Sequence, residues 1–198
     1  MSDQASRLRE IVKKKNSSLY KNINMITVLS GKGGVGKTIL ISKLYESIKN
    51  SFIIDCDINS PFFWLQKGKY DFCEGFDIFN NRKIVKSVEK LYKLNLYNSV
   101  LVDAGTGLND INKYYIDKSK IKIFVSTMEQ ISILNTMSLM KNVSGIKILY
   151  MPKTTHEDIW DMQQRINMYS KKHLDNSYIM VCNKIEDIIK SIEENISR

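Results

Sequence analysis

The sequence predicts an α/β fold of three layers, in which helices cover both faces of a mostly parallel β-sheet. From residue 24 onward, short β-branched runs alternate with longer segments of helical periodicity, which is typical of repeated strand-helix-strand units. The composition agrees, because 43% hydrophobic and 26% charged residues are typical of a folded globular chain with a sizeable core. Wholesale disorder, collagen-like repeats and low-complexity sequence are excluded.

Six strands and six helices account for this alternation. The predicted strands are Met25–Ser30, Phe52–Asp55, Ser99–Asp103, Ile121–Ser126, Ile146–Met151 and Tyr178–Cys182. The helical patterns cover 36–49, 81–94, 109–118, 129–142, 156–173 and 185–197. In the last helix five isoleucines share one face: Ile185, Ile188, Ile189, Ile192 and Ile196. The segment 60–80 is aromatic and irregular, and it predicts neither a helix nor a strand.

The first 23 residues predict a separate region in front of one domain at 24–198. Residues 2–12 form an amphipathic helix in this prediction, with Ala5, Leu8, Ile11 and Val12 on its apolar face. The polar stretch 13–18 that follows predicts a flexible tether. Residues 1–24 have six basic and two acidic side chains, so this arm holds four of the nine net positive charges.

Composition also indicates the cellular compartment of the protein and the classes of partner that it is expected to bind. Three cysteines, at positions 56, 73 and 182, match neither a disulfide framework nor a zinc site, which favours a reducing compartment. No apolar run approaches the roughly 18–20 residues that span a bilayer, and the N-terminus lacks the apolar stretch of a signal peptide, so we expect a cytoplasmic protein. The positive charge comes mainly from lysine, with only five arginines, which argues against nucleic acid as a partner.

The segment 30–38, Ser-Gly-Lys-Gly-Gly-Val-Gly-Lys-Thr, follows a predicted strand and opens a predicted helix, as a phosphate-binding loop does. Its backbone N–H groups would surround a di- or triphosphate at the helix N-terminus. Lys37 would reach the β- and γ-phosphates, and the Thr38 hydroxyl would ligate Mg²⁺. The cofactor-binding residues predicted here are Gly31, Lys32, Gly33, Gly34, Val35, Gly36, Lys37 and Thr38.

The second lysine of this loop, Lys32, makes residues 32–38 similar to the deviant Walker A sequence of the MinD/ParA-type ATPases, Lys-Gly-Gly-Val-Gly-Lys-Thr. From about residue 24 to its end the chain resembles that family. The resemblance implies a P-loop NTPase fold, ATP and Mg²⁺ as cofactors, and slow hydrolysis in an ATP-bound homodimer. It also implies that Lys32, counted with Lys37 as catalytic, contacts the nucleotide of the opposite protomer.

Acidic residues follow two of the predicted strands. Asp55 and Asp57, two positions apart at a strand end, point toward the crevice where such sheets bind ligands. By the family resemblance Asp55 supports Mg²⁺ and Asp57 positions the attacking water. Asp103 and Gly105 resemble the family's Asp-x-Gly-x-Gly, so Asp103 would hold Mg²⁺ and the Gly105 amide would approach the γ-phosphate. The alternative for Asp55 and Asp57 is a polar strand end with solvated acids, and the alternative for Asp103 and Gly105 is an ordinary turn from strand to loop.

Three further comparisons with the family concern the nucleotide side. Thr127–Gln130 resembles its Thr-Pro-Glu-Pro loop beside the nucleotide. Asp57 and Asp103 are only 46 positions apart, fewer than in the family, so we expect one strand and its loop to be missing. Met151 stands where the family has an adenine-reading asparagine, so base readout would come from the loop of Asn183, whose likeness to a guanine-reading motif we attribute to chance.

The N-terminal segment Asp3–Arg9 resembles the Asp-Gln-Ala-x-x-Leu-Arg motif of the FlhG (FleN/YlxH) branch of the family, which controls flagellar number and placement. This resemblance implies that the segment binds and stimulates an FlhF-type GTPase; a generic amphipathic helix is the alternative. The last predicted helix has more acidic than basic side chains and no Trp or Phe, so we expect any membrane association to be indirect.

The sequence therefore favours a shortened FlhG-like ATPase of flagellar assembly that acts as a homodimer. Two alternatives stay open: a non-hydrolysing nucleotide-binding adaptor that presents its N-terminal helix, and a ParA-like partition ATPase that binds DNA. The only two histidines, His156 and His173, have no ligands at metal-binding spacing and predict surface positions.

Overall fold

The computed structural model describes residues 24–57, 63, 66, 68–75, 96–174 and 178–196. Within them the strands are β1 (Asn24–Leu29), β2 (Ser51–Asp55), β3 (Phe72–Glu74), β4 (Ser99–Asp103), β5 (Ile121–Val125), β6 (Ile146–Tyr150) and β7 (Ile179–Cys182). The helices are α1 (Lys37–Ser47), α2 (Asp110–Lys118), α3 (Gln130–Lys141), α4 (His156–His173) and α5 (Ile185–Ile196). The helices predicted at 2–12 and 81–94 lie outside the described residues.

The seven strands form one sheet in the order β3-β2-β4-β1-β5-β6-β7, and every neighbouring pair is parallel. The predicted α/β class is confirmed, and the sheet, predicted as mostly parallel, is parallel throughout. All six predicted strands are present, with ends within one residue of the prediction. The five helices that can be compared agree within two residues.

The seventh strand, β3, corrects the sequence analysis. It lies in the segment that predicted no regular structure, within the stretch where a strand was expected to be missing. β3 has only three residues and pairs with β2 alone, at the edge of the sheet. So short a strand shows no measurable alternation of apolar and polar residues, and it forms only because β2 offers a free edge.

Helices cover both faces of the sheet, and each buries one apolar stripe. On one face, Leu40 and Leu44 of α1 pack with Ile188 and Ile192 of α5. Ile185 and Ile189 pack against the same cluster as partly buried residues, so these four isoleucines of the stripe predicted for α5 face the sheet, while the side chain of Ile196 lies outside the described part of the structure. On the other face, Met140 of α3 and Met162 and Ile166 of α4 form a second cluster. This is the predicted three-layer arrangement.

The strand order decides which loops meet. β1 lies between β4 and β5, so the loop after β1 lies beside the loops after those two strands. The register aligns Val28 and Asp55 with Asp103, at the carboxyl ends of three adjacent strands.

The three cysteines are buried thiols. None of the helices in the described ranges combines the length and apolarity that crossing a membrane requires.

Candidate functional site

The loop at 30–36 joins β1 to α1 and ends in an open helix N-terminus. Gly36, the N-cap of α1, has φ 97°, a left-handed conformation that favours glycine. No side chain caps the helix, and its first turn contains no acidic residue. The first N–H groups of α1, together with the positive end of its dipole, therefore form a site suited to an anion.

The other end of the loop packs closely against the middle of α3. A Cβ on Gly31 would lie 2.6 Å from backbone atoms of Asn135 and Thr136, closer than non-bonded atoms approach. The Asn135 side-chain Nδ2 donates a hydrogen bond to the Gly31 carbonyl at 3.2 Å. Val35 is anchored in the core, where its side chain is buried in the same cluster as the apolar residues of α1. Of the predicted binding residues, Val35 can thus offer only its backbone to a ligand.

Lys37, Thr38 and Asp103 lie close together where the loop at 30–36 enters α1. The Thr38 hydroxyl donates to Asp103 Oδ2 at 2.7 Å, across 65 positions of sequence. Asp103 is completely buried, and within the described residues its Oδ1 has no hydrogen-bond partner. Burial raises the pKa of Asp103 to about 6, although the Thr38 hydrogen bond and the positive charge of Lys37 lower it. Lys37 is itself buried.

Asp55 and Asp57 lie beside this group, at the end of β2. Asp55 is the register partner of Asp103 on the neighbouring strand. Its Oδ1 accepts a hydrogen bond from the Asp57 backbone N–H at 3.0 Å. Burial raises the pKa of Asp55 to about 7, more than the Asp57 hydrogen bond lowers it, and the charge of Asp103 adds to the rise. Asp57 is half-buried. The structure thus brings together all the predicted metal and switch carboxylates.

The donor set of this group suits Mg²⁺, which prefers oxygen ligands and keeps several water molecules. The oxygens present are the Thr38 hydroxyl and the carboxylates of Asp55 and Asp103. The unpaired, buried Asp103 Oδ1 is the observation that fits a cation, since such an atom otherwise costs free energy. Across the part of the chain that the structure describes, no three His, Cys, Asp or Glu side chains converge as a metal centre of their own. A cation here would need phosphate oxygens and water as further ligands.

Lys32 is held by the loop after β5. Its Nζ forms a short ion pair with Glu129 Oε2, and the two side chains are 44% and 61% exposed. The loop is shaped by Ser132, whose hydroxyl accepts a hydrogen bond from the Thr127 backbone N–H at 3.2 Å. Sequence analysis placed the segment 127–130 beside the nucleotide but did not foresee its contact with Lys32. The partners are 97 positions apart, so no local pattern could indicate it.

Asn112 is a site residue that sequence analysis missed. It lies in the first turn of α2 and is completely buried against the loop after β4. Its Oδ1 accepts from the Gly105 N–H at 3.2 Å, and its Nδ2 donates to the carbonyls of Gly105 and Gly107 at 3.2 and 3.0 Å. The available signal was a polar residue three positions after the Asn109 N-cap, where a solvated side chain would equally fit.

The residues considered for base readout do not converge in this way. Met151 is completely buried in the cluster that includes α3 and α4, so its side chain packs in the core. Asn183 donates from Nδ2 to the Thr154 carbonyl at 2.8 Å, which ties the loops after β6 and β7 together. His156 and His173 are both exposed, as predicted.

The sequence matches no family model and no curated protein, but the fold matches solved structures. The MinC:MinD cell division protein complex of Aquifex aeolicus aligns with a TM-score of 0.51 at 18% identity, over 87% of this chain and 86% of that one. HypB from Helicobacter pylori, in complex with nickel, aligns with a TM-score of 0.63 at 12% identity, over 94% and 93%. A plasmid partition protein from Borrelia burgdorferi bound to AMPPNP scores 0.47 at 19% identity, over 89% and 97%.

Identities this low establish the fold and nothing finer. The chain therefore folds as a three-layer α/β domain with a parallel sheet of seven described strands, similar in structure to the matched chain of the MinC:MinD complex and to HypB, and its glycine-rich segment 30–36 lies between the first described strand and the first described helix.

Proposed function

We propose that this chain binds Mg-ATP at the loop of residues 30–38 and hydrolyses it slowly as an ATP-dependent homodimer, in the manner of MinD-type ATPases. One observation carries the proposal: the hydroxyl of Thr38, in the first turn of a helix with no side-chain cap, is bonded to buried Asp103, whose second oxygen has no hydrogen-bond partner among the described residues. Such an arrangement fits a phosphate-bound cation and has no evident structural purpose. The deviant loop sequence and the fold shared with MinD support the same proposal.

Each side chain of the site has a defined task under this proposal. The N–H groups of the loop and of α1 bind the phosphates, and Lys37 neutralises charge on the β- and γ-phosphates. Thr38, Asp55 and Asp103 hold Mg²⁺, which when bound neutralises the charge that develops on the phosphate oxygens. Asp57, half-buried at the end of β2, orients the attacking water. The raised pKa of Asp55 and of Asp103 reflects carboxylates that gain from a cation nearby.

Lys32 would act on the nucleotide of a second copy. In the described structure it is paired with Glu129, but both side chains are substantially exposed, and water screens such a pair. Replacing Glu129 as the partner of Lys32 with a triphosphate bound to the second copy would therefore cost little free energy.

The test of this proposal is ATP-dependent dimerisation. Light scattering of the full chain with Mg-ATP should report a dimer, while Mg-ADP should leave a monomer. Lys32→Ala should bind Mg-ATP within about threefold of the wild type, because that lysine acts in trans, yet stay monomeric. Glu129→Ala serves as the control, since it also breaks the ion pair but leaves Lys32 free to cross the interface. A wild type that binds ATP and stays monomeric would contradict the dimer and favour a nucleotide-binding adaptor.

We further propose a role in flagellar assembly, in which the N-terminal segment stimulates an FlhF-type GTPase. The support is the motif at Asp3–Arg9, followed by a polar tether. A helix of about a dozen residues is marginal alone in water. The apolar face of Ala5, Leu8 and Val12 therefore gains order chiefly by binding a partner. Any membrane association would then come through that partner.

A peptide of residues 1–15 should accelerate GTP hydrolysis by an FlhF-type GTPase without the rest of the chain. Leu8→Ala in the peptide should abolish the effect, because Leu8 lies at the centre of the apolar face. Lys14→Ala is the matched control, since it changes only the encounter rate. Equal stimulation by the full chain and by a chain lacking residues 1–15 would remove the support for the flagellar role.

A further inference from the structure

In the loop that follows β4, residues 104–107, the side chain of Asn112 binds the backbone at two positions. Gly105 gives both polar groups of its backbone to Asn112, which accepts from the N–H at 3.2 Å and donates to the C=O at 3.2 Å. The second Nδ2 hydrogen of Asn112 goes to the Gly107 carbonyl at 3.0 Å. Asn112 thus pairs with this loop much as a neighbouring strand would, and it is completely buried while doing so.

The same loop lies against the phosphate-binding loop. If Gly33 had a Cβ, its nearest atom would be the Thr106 hydroxyl oxygen, at 3.9 Å. Asp103, directly before the loop, is bonded to Thr38. A γ-phosphate bound at the N-terminus of α1 would therefore come next to residues 104–107. The Gly105 N–H, however, is already used by Asn112 in the described structure.

One N–H cannot donate fully to two acceptors on different sides. When the Gly105 N–H turns toward a γ-phosphate, Asn112 Oδ1 is left as a buried acceptor without a donor, and this opposes the change. A diphosphate, which lacks the γ-phosphate, would leave this bond intact. Asn112 therefore discriminates between a nucleotide with a γ-phosphate and one without, although it touches neither.

We propose that Asn112 is a positioning residue that holds the loop after β4 in its described conformation and competes with the γ-phosphate for the Gly105 N–H. This inference rests on the proposed nucleotide-binding function of the site. The inference adds Asn112, which lies on α2 and not on the loop, as the residue that sets how strongly the loop responds to a nucleoside triphosphate. By linkage, a nucleotide that takes the N–H must bind more tightly when Asn112 no longer competes.

The experiment compares the affinities of Mg-AMPPNP and Mg-ADP by calorimetry in wild type and Asn112→Ala. We expect the ratio of the two affinities to shift about fivefold toward Mg-AMPPNP, the effect of losing one neutral hydrogen bond from only one of two states. Mg-ADP affinity itself should be unchanged. Asn109→Ala is the matched control, because it removes the cap bond to the Asn112 backbone N–H and weakens α2, but leaves the Gly105 contacts in place.

A second measurement tests the geometry directly. Glycine-labelled protein gives signals from nine glycines, and hydrogen exchange at the Gly105 amide should be slow in the wild type and fast in Asn112→Ala. Mg-AMPPNP should shift the Gly105 signal and Mg-ADP should not. If Asn112→Ala does not fold, Asn112→Ser replaces it, since a hydroxyl is too short to pair with both groups of Gly105.

The possible results distinguish failure of the role proposed for Asn112 from failure of the proposed nucleotide-binding function. An unchanged affinity ratio, or unchanged exchange at Gly105, with nucleotide binding intact would overturn the role of Asn112 alone. An equal shift of the ratio in Asn109→Ala would assign the effect to helix stability and also overturn it. A wild type that binds neither nucleotide would overturn the proposed function, and the role of Asn112 with it.

Discussion

Lys37→Ala is expected to weaken Mg-ATP binding by about 100-fold or more, because it removes the charge-assisted hydrogen bonds that a lysine makes to two phosphates. The described structure makes compensation difficult. Lys37 is 6% exposed at the start of α1, beside Asp103, so no other cation of the loop is in position to replace it. Lys32 points instead to Glu129, on the other side of the loop.

The contrasting variant is Asp57→Ala, which changes hydrolysis and not binding. It should keep Mg-ATP affinity within about threefold of the wild type and accumulate the ATP-bound dimer, because the residue that orients water is lost while the phosphate contacts remain. Calorimetry measures the first effect and light scattering the second. Thermal unfolding without nucleotide shows whether each variant is folded. Equal affinities of Lys37→Ala and the wild type would mean that the phosphates bind elsewhere.

Gly31→Ala is expected to lower the free energy of unfolding by about 2–3 kcal/mol, as overpacking at a closely packed site does. The added methyl group would lie 2.6 Å from the backbone of Asn135 and Thr136. Backbone atoms in the middle of α3 cannot turn away as the end of a long side chain could, so the loop itself must move. Mg-ATP affinity should fall with stability, since the displaced loop no longer directs its N–H groups at the phosphates.

Gly33→Ala is the matched control for this prediction. It adds the same methyl group to the same loop, but its nearest neighbour is the Thr106 hydroxyl oxygen at an ordinary 3.9 Å. We expect its stability to differ from the wild type by about 0.5 kcal/mol or less. Urea unfolding of both variants without nucleotide provides the comparison. Similar stability of the two variants would contradict the close packing of the loop against α3.

The described strands other than β3 could be predicted because their signal is local. Strands such as β2 and β4 are buried along their whole length, and this selects continuous apolar runs, Phe52–Ile54 and Val100–Val102, whatever the neighbours are. The loop between β1 and α1 could be predicted for the same reason. Its glycines and its lysines are adjacent in sequence, and the turn from strand to helix that they require is set by residues of that segment.

The tertiary structure alone decided which of these segments meet. Because β1 lies between β4 and β5, the loop after β1 is enclosed by the loop at 104–107 on one side and by α3 on the other. The ion pair of Lys32 with Glu129 follows from that order, and the raised pKa of Asp55 follows from its burial at the end of β2, beside β4. The bond of Asn112 to Gly105 spans only seven positions, but only the folded chain buries Asn112 against that loop. The sequence by itself determined the fold class and the turn from strand to helix at 30–38; the bonds of this segment to Glu129, Asn135 and Asp103 join residues 65 to 104 positions apart, which no local pattern encodes.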